Sequence, residues 1–228
     1  SINENIPDGE VGFEYGSVRR FGQQVDVLVS SGVAVDLWFE DMASWYEQFA
    51  VANTDQWFCT QMVSPLAETD PRGCFGYKHY PEQTNRFNHA LEEMISKRQR
   101  RAQEQLLQHG PWTPWSAEMR TRTVDFVQMR RAKGFSGDLV AKNAWFDDNQ
   151  GAALRPFAAT ARKIQLDFWV EFKIAFSAEK SKYNPWETTV FEAAVGVEIR
   201  ARMRLCTLPP EKVDRYCSEI EEMLQTAR

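Results

Sequence analysis

The sequence predicts an α+β protein in which a curved antiparallel β-sheet has helices packed on one face and a further helix at the C-terminus. Three observations predict this class. Residues 164–176 alternate between apolar and other side chains at every second position, as a half-buried strand does. Residues 81–109 are polar apart from a narrow apolar stripe at helical spacing. Pro209 and Pro210 precede a second stretch with helical apolar spacing.

The length and composition fit one domain. A chain of 228 residues predicts a single domain over residues 1–228, with residues 70–110 as a helical insertion within it. The net charge of −5 gives no strong non-specific attraction to nucleic acid. The 15 Phe and 8 Trp residues favour a large aromatic core, with an aromatic-lined pocket or a partner surface as the alternative.

The cysteines and the apolar segments indicate the cellular environment in which the protein is expected. Cys59, Cys74, Cys206 and Cys217 lack metal-ligand spacing, which favours free thiols of an intracellular protein, although their even number leaves disulfides open. No apolar run approaches the ~18 residues that span a bilayer, and no signal peptide follows Ser1. Because the first residue is Ser, a removed Met and a cleaved leader both stay open. The compartment is not predicted.

The first third of the chain predicts strands followed by helices. Residues 11–15 alternate as a short edge strand. Residues 25–29 and 33–39 continue the same period, which predicts a strand, a bend, and then either a second strand or the start of a helix. The period then changes, and apolar residues at helical spacing predict a helix over residues 37–52. A second short helix is expected over residues 54–63, because it starts at a threonine suited to N-capping.

The middle third predicts a turn, the long polar helix and a hairpin. Residues 70–73 have turn chemistry, and the long helix is expected to end at Gly110. Residues 120–131 contain Thr and Val in alternation and predict a strand. Residues 139–146 are expected to pair back on that strand as a hairpin, and residues 147–151 to form a polar turn.

The last third centres on the strand predicted over residues 164–176, which has one apolar and one mostly polar face. For residues 187–205 a strand template and a helix template compete. The strand template accounts for more of the apolar residues, so a strand is favoured and a helix stays open. In the final helix, glutamates lie opposite the apolar stripe, as is typical of a helix with one buried face.

A basic cluster follows the apolar stripe of the long helix. Its residues are expected to form a solvated helix face, with binding to anionic lipid headgroups or RNA phosphate as the alternative. These candidate headgroup-binding residues are Lys97, Arg98, Arg100 and Arg101.

The sequence contains no recognisable catalytic constellation. His79, His89 and His109 lack the two-His helical spacing of zinc hydrolases, and neither a phosphate-binding glycine loop nor a Gly-x-Ser-x-Gly elbow is present. The paired acids Asp147–Asp148 and Glu221–Glu222 are explained by a turn and a solvated helix face, because a general acid or base role would require burial. The sequence therefore predicts no metal ion and no cofactor, and it favours a non-catalytic role.

Three short segments resemble parts of a known superfamily. They are Phe39-Glu-Asp-Met42 with Trp45 and Phe49, then Trp112-Thr-Pro-Trp115 with residues 120–126, and finally residues 164–176 with Lys180, Lys182 and Pro185-Trp186. They resemble the first helical region, the Arg-rich strand, and the last strand with its Pro-Trp step in START and Bet v 1-like helix-grip proteins, closest to the sterol-binding VASt branch. The chain departs from that family in residues 70–110, and in residues 187–205, where the family has a helix.

The resemblance implies a concave sheet wrapped over the terminal helix, with a cavity between them. Burial of an apolar ligand there would gain roughly 25 cal/mol per Å² before ordering costs. Side chains can equally fill the space and leave no cavity. The predicted pocket residues are Val124, Phe126, Phe168, Val170, Phe172, Ile174, Phe176 and Trp186.

Three functional hypotheses follow. The first is non-catalytic binding of a lipid or other apolar small molecule in that cavity. The second is a structural or accessory subunit of a larger assembly, which the many Trp residues and the long polar helix suit. The third is an RNA-binding coat or nucleoprotein subunit that uses the basic cluster and Arg200, Arg202 and Arg204 on phosphate. An enzyme of the helix-grip class, such as a cyclase, stays open. An apolar small molecule, other subunits or a membrane surface are thus expected as partners ahead of nucleic acid.

Overall fold

The element order is that of an α+β fold. The computed structural model describes residues 18–48, 60–63, 66–69, 80–110, 112, 115–145, 147–184, 191–193, 197–200 and 205–226. Within them the helices are α1 (Val18–Val29), α2 (Tyr80–His109), α3 (Ala117–Ala132), α4 (Arg155–Glu171) and α5 (Pro210–Thr226), with a 3-10 turn at Trp45–Gln48. The strands are β1 (Val35–Asp41), β2 (Thr60–Val63), β3 (Leu66–Thr69), β4 (Val140–Trp145), β5 (Asp148–Leu154), β6 (Lys182–Asn184), β7 (Phe191–Ala193), β8 (Val197–Arg200) and β9 (Leu205–Thr207). The predicted class, with a curved and open antiparallel sheet, is confirmed.

The central sheet has four antiparallel strands in the order β4-β5-β1-β6. Strand β1 pairs with β5 along its whole length, from Val35 opposite Leu154 to Asp41 opposite Asp148. Along the chain, β1, α2, β4, β5, α4 and β6 follow one another in the split β-α-β order of ferredoxin-like domains. The other described elements are additions to that unit.

Helices α2 and α4 lie on the same face of this sheet. Trp38 on β1 donates its indole N–H to Gln165 of α4 at 3.0 Å. Lys142 on β4 lies in the same row across the strands, because both residues pair with Gly151, and its ammonium is 2.7 Å from Glu92 of α2. Directly opposed residues in antiparallel strands point to the same side, so both helices cover the side that bears Trp38. We call it the helix side.

The close approach of Trp38 to Gly151 fixes the centre of the sheet. The indole of Trp38 is fully buried, and a Cβ atom added to Gly151 would lie 2.0 Å from that ring. Only glycine leaves room there, which is the usual reason for a glycine inside a strand.

Two hydrophobic clusters support the two ends of the sheet. The larger cluster joins Phe21, Val25 and Leu28 of α1 to strands β1 and β5 and to the first turns of α4. The smaller one follows the end of β1 and is formed by Met42, Trp45, Leu91, Ile95, Phe168, Trp169 and Ile174. The end of β1 that carries Asp41 is therefore followed directly by residues of a packed, aromatic-rich cluster.

The strand predicted over residues 25–29 is wrong, because these residues belong to α1. Phe21, Val25 and Leu28 are buried at helical spacing, while Val27 and Val29 pack partly against the same cluster. Valines at every second position on a short helix thus imitate a strand. For residues 33–39 a strand and the start of a helix were both open, and the structure has the strand β1 there from Val35 onward.

The strand predicted over residues 120–131 is also wrong, because it forms α3. Thr123, Phe126 and Val127 are its buried residues, spaced three and four apart. The hydroxyl of Ser116 accepts the Met119 N–H at 3.1 Å and caps the helix. The strand predicted over residues 139–146 is confirmed as β4, but it pairs with β5, which replaces most of the predicted turn at 147–151.

The strand predicted over residues 164–176 is wrong, because residues up to Glu171 belong to α4. Gln165, Phe168 and Trp169 are buried at helical spacing, whereas Val170 is exposed. The aromatic and aliphatic residues of this segment satisfy both periods over a short window. Packing of α4 against β1, β5 and α2 selects the helix.

The remaining predictions have mixed outcomes. The helix predicted over residues 37–52 is wrong where the chain is described, because β1 runs to Asp41 and a 3-10 turn follows. The helix predicted over residues 54–63 is wrong for its described part, which forms strand β2. The long polar helix and the C-terminal helix are confirmed as α2 and α5, and residues 187–205 contain strands where they are described. Predictions for residues 11–15 and 70–73 lie outside the described residues.

The described helices can be compared with the length and hydropathy that a membrane-spanning helix requires. None of the helices in the described ranges is both long enough and apolar enough to cross a bilayer. Helix α2 has 30 residues, but it is polar along its length.

Candidate functional site

Three aspartates meet where β1 ends and the β4–β5 hairpin turns. Asp41 is the last residue of β1 and lies directly opposite Asp148, the first residue of β5. Asp147 precedes it in the turn, and its carbonyl accepts the Met42 N–H at 2.8 Å. We call Asp41, Asp147 and Asp148 the acidic cluster. Asp41 has the same parity along β1 as Val35 and Leu37, so Asp41 and Asp148 point away from the helix side.

The carboxyl groups of Asp147 and Asp148 have raised pKa values. Burial, followed by the neighbouring Asp147 and Asp41 carboxylates, raises the pKa of Asp148 to about 6. Burial is also the main cause that raises the pKa of Asp147, and the Asp41 carboxylate adds to it. Like charges thus act on one another in a site that is partly withdrawn from water.

Lys180 partly compensates this negative charge. Its ammonium donates to the Asp41 carboxylate at 3.1 Å, and this hydrogen bond is the main cause that raises the pKa of Lys180. The Asp147 and Asp148 carboxylates raise that pKa too, so the ammonium lies within electrostatic reach of all three acids. The Lys180 side chain is 63% exposed, which leaves it accessible to a bound anion. Three carboxylates and one ammonium leave the group net negative.

Asn149 follows the cluster along β5, but it lies directly opposite Glu40 and so points to the helix side. This side chain is 1% exposed, and its Nδ2 donates to the Asp147 carbonyl at 3.3 Å. Its Oδ1 has no hydrogen-bond partner within the described part of the chain. A buried amide oxygen without a partner is uncommon, but this one lies on the opposite face of the sheet from the Asp41 and Asp148 side chains.

The cluster is an open site and not a closed metal cage. Across the described ranges, no three His, Cys, Asp or Glu side chains lie close enough to hold a metal ion alone. Any cation at the cluster would need water or substrate oxygens to complete its coordination shell. That is the usual arrangement for Mg²⁺, which keeps several waters and binds through one or two carboxylates together with substrate phosphates.

The acids on the helix side of β1 are compensated differently. The Asp36 carboxylate accepts from Arg155 at 3.0 Å and from the Tyr183 hydroxyl at 2.9 Å. Glu40, which is fully buried, accepts from Arg162 at 2.6 Å. We call Asp36 and Glu40 the helix-side acids. Burial, followed by the Asp36 carboxylate, raises the pKa of Tyr183, so the phenol stays protonated.

The predicted pocket residues are not brought together in one cavity. Phe126 packs in the larger cluster, whereas Phe168, Ile174 and Phe176 belong to or pack on the smaller one. Val170 is 67% and Phe172 45% exposed. A cavity of about 310 Å³ opens beside β4, but none of the predicted residues lines it. Val124 lies on α3, half-buried, and Trp186 falls outside the described residues.

The predicted headgroup-binding residues lie on α2 among carboxylates. Arg98 forms two hydrogen bonds to Glu171, at 2.5 and 2.9 Å, and stacks over the Phe168 ring. Arg100 contacts Asp138 at 3.3 Å, and Lys97 lies 3.9 Å from Glu93. Arg101 is exposed. Pairing with acids within the protein makes this face a weaker anion site than its composition predicted.

The acidic cluster is the feature that sequence reasoning missed. The sequence analysis explains Asp147 and Asp148 by a turn, and it includes Asp41 only in a predicted helix and in the helix-grip resemblance. A usable signal was present, because residues 139–146 were predicted as a strand, residues 33–39 as a strand or the start of a helix, and acids follow both segments. Recognising the cluster also required knowing that β5 lies between β1 and β4.

Comparison with known proteins gives no family for the chain. No protein-family model matches the sequence, and no curated protein matches it. The resemblance to helix-grip proteins stays a prediction. Two of the three segments on which it rests contain strands of that family where this chain has α3 and α4.

Proposed function

We propose that the acidic cluster binds Mg²⁺ or a similar divalent cation and that the protein catalyses metal-dependent phosphoryl transfer there. The observation that carries this proposal is the strand register that sets Asp41 opposite Asp148, with Asp147 beside them. Burial and then repulsion from Asp147 and Asp41 raise the pKa of Asp148, and a bound cation would stabilise its ionised form against both.

The substrate class follows from the openness and charge of the site. Phosphate oxygens suit a cation that the protein coordinates incompletely. The accessible ammonium of Lys180 adds a second positive charge next to that cation. A metal ion together with a lysine is a common clamp for a transferring phosphoryl group. A polyphosphate ester such as a nucleoside triphosphate therefore fits better than a neutral or singly charged substrate.

The chain's own residues have separate roles in this proposal. The acidic cluster would hold the metal ion, which supplies Lewis-acid activation of the phosphoryl group and of the attacking oxygen. Lys180 would contact the departing phosphate, where negative charge develops. Nucleotidyl transfer to a hydroxyl acceptor, such as the end of a nucleic-acid strand, is the form of the reaction that this division of roles favours. The reacting phosphorus forms a bond to the acceptor hydroxyl oxygen, which releases its proton to water, as the bond from phosphorus to the departing pyrophosphate breaks.

Binding of an apolar ligand, the first hypothesis from the sequence, stays untested. It depended on an apolar strand over residues 164–176, and that segment is mainly α4. No observation among the described residues adds support to it.

Metal titration of the purified chain tests the proposal. We expect Mn²⁺, used as a paramagnetic probe for Mg²⁺, to bind the wild-type protein with an affinity that falls on the order of 10- to 100-fold in Asp41→Asn and Asp148→Asn. Asp167→Asn is the matched control, because Asp167 is an exposed acid paired with Lys163 on α4. Equal Mn²⁺ affinity in all four proteins would contradict a metal site at the cluster.

Turnover is tested next with a nucleoside triphosphate and Mg²⁺, with and without a primed nucleic-acid strand. We expect pyrophosphate release that depends on the primer and disappears in Asp41→Asn. Metal binding without any turnover of phosphate esters would leave the metal site standing and refute the proposed reaction.

A further inference from the structure

The turn over residues 177–181 is fastened to the end of β1 by three contacts. The backbone N–H of Ser177 donates to the Asp41 carbonyl at 2.8 Å. The Lys180 ammonium donates to the Asp41 carboxylate, and the Ser181 hydroxyl lies within hydrogen-bond distance of the Glu40 carboxylate. Within the turn, the Lys180 and Ser181 N–H groups both donate to the Ser177 carbonyl, at 3.2 and 3.1 Å. These backbone and side-chain contacts together fix the position of the Lys180 backbone, from which its side chain extends.

The Ser181 hydroxyl has two acceptors within reach and one hydrogen to donate. The alternatives are the Glu40 carboxylate and the Ser177 carbonyl, the latter at 3.1 Å. Hydrogen bonds to an ionised acceptor are shorter and roughly twice as strong as neutral ones. The Glu40 carboxylate is consequently the preferred acceptor of the Ser181 hydroxyl, and this bond is the one that the hydroxyl contributes to holding the turn.

Glu40 is held firmly but cannot reach the acidic cluster. It precedes Asp41 and points to the helix side, where it is fully buried and paired with Arg162 of α4 at 2.6 Å. Arg162 in turn lies over the Tyr183 ring, 5.6 Å from its centre. Helix α4 thus fixes Glu40, and Glu40 fixes Ser181.

We propose that Glu40 and Ser181 are positioning residues that place the Lys180 ammonium on Asp41. Lys180 needs such a device, because its flexible side chain is mostly exposed and an exposed ion pair alone orders a lysine weakly. The catalytic part of this inference rests on the proposed function, whereas the positioning part concerns the metal-free protein.

Ser181 is the residue to change, because removing Glu40 would leave Arg162 without its buried partner and endanger folding. Ser181→Ala deletes the hydroxyl, and Ser181→Thr keeps it. Ser218→Ala is the matched control, since Ser218 bonds its own helix at Asp214 on exposed α5. All three variants are compared with wild-type protein by thermal unfolding before further measurement.

The first readout is the ¹⁵N–¹H signal of the Lys180 ammonium in metal-free protein. A held, hydrogen-bonded ammonium exchanges its protons slowly enough to be seen, so we expect the signal in wild type, Ser181→Thr and Ser218→Ala, and its loss in Ser181→Ala. An unchanged signal in Ser181→Ala overturns the positioning role, whether or not the protein binds metal.

The second readout is catalytic. We expect Ser181→Ala to lower kcat by roughly ten- to a hundredfold, with Mn²⁺ affinity nearly unchanged because the aspartates remain, and Ser181→Thr to restore kcat. If Ser181→Ala loses the lysine signal while wild type binds no Mn²⁺ and turns over no triphosphate, the positioning contact stands and the proposed function fails. Full kcat in Ser181→Ala with a working wild-type enzyme refutes the inference.

Discussion

The two sides of β1 carry acids that the protein compensates in opposite ways. Each helix-side acid is buried and receives a guanidinium from α4 at 3.0 Å or less. The acidic cluster has three carboxylates and, among the described residues, Lys180 as the cation bonded to it. The helix-side acids are therefore part of the packing between sheet and helix, whereas the acidic cluster keeps negative charge available for a ligand.

This difference separates structural acids from candidate functional ones. A buried carboxylate that has a guanidinium partner is costly to disturb, because its partner would be left charged and buried. A group of carboxylates that repel one another is tolerated when binding uses that charge, and perturbed pKa values accordingly concentrate at functional sites. Residue type alone does not distinguish the two, since aspartate occurs on both sides.

The largest effect on folding is expected at the helix side. Glu40→Ala should reduce the free energy of unfolding by about 3 kcal/mol, because Arg162 loses its partner in a largely buried position. Asp41→Ala should change it by much less, because it also removes a source of repulsion. Urea unfolding of both variants measures the difference. A greater loss in Asp41→Ala would reverse the assignment of the two sides.

A somewhat smaller effect is expected at the centre of the sheet. Gly151→Ala should cost about 2 kcal/mol, because the new Cβ would lie 2.0 Å from the Trp38 ring and force it to move. The change falls on the helix side, so the NMR signals of the Asp147 and Asp148 carboxyls should shift little. Large shifts at the acidic cluster would mean that the two sides are coupled through Trp38.

The pH dependence of stability sharpens the comparison. The pKa of Asp148 is raised to about 6 in the folded protein from 3.8, so between these values the folded state binds more protons than the unfolded state. Stability linked to this group must then fall as the pH rises from about 4 to 6. Asp148→Asn removes the penalty, so its stability relative to wild type should be higher at pH 7 than at pH 4. No change in the relative stability would contradict the raised pKa.

Two charge substitutions should move that pKa in opposite directions. Asp41→Asn removes a repelling carboxylate and should lower the pKa of Asp148, which burial still keeps above its ordinary value. Lys180→Gln removes an attracting ammonium and should raise it. Carboxyl ¹³C titration of metal-free protein follows both, with Lys163→Gln as a control on the exposed face of α4. Shifts of the same sign would refute the electrostatic account.

The sequence predicted the fold class, β4, α2 and α5, because each shows one clear period or clear stop signals, and it predicted only the first part of β1. It failed for α1, α3 and α4, where short apolar segments fit both the strand and the helix period. For α4 the decision depends on contacts distant in sequence, such as that between Trp38 and Gln165. Local pattern cannot contain that information.

The candidate site was harder to predict than the fold, because it is made by pairing. Asp41 and Asp148 are neighbours only in the register of β1 and β5. A pattern of acids after apolar strands indicates where strands end, but it does not indicate which ends meet. Burial distinguishes Asp147 and Asp148 from ordinary turn acids, and it depends on tertiary packing that the local sequence does not reveal.

The most direct test of this account is a Mg²⁺ titration followed by carboxyl ¹³C NMR of protein labelled at its Asp and Glu side chains. We predict that the signals of Asp41, Asp147 and Asp148 shift together and saturate, while those of Asp36 and Glu40 stay in place. Shifts at the helix-side acids, or no saturable shift at the acidic cluster, would contradict the claim that the uncompensated side of β1 is the functional one.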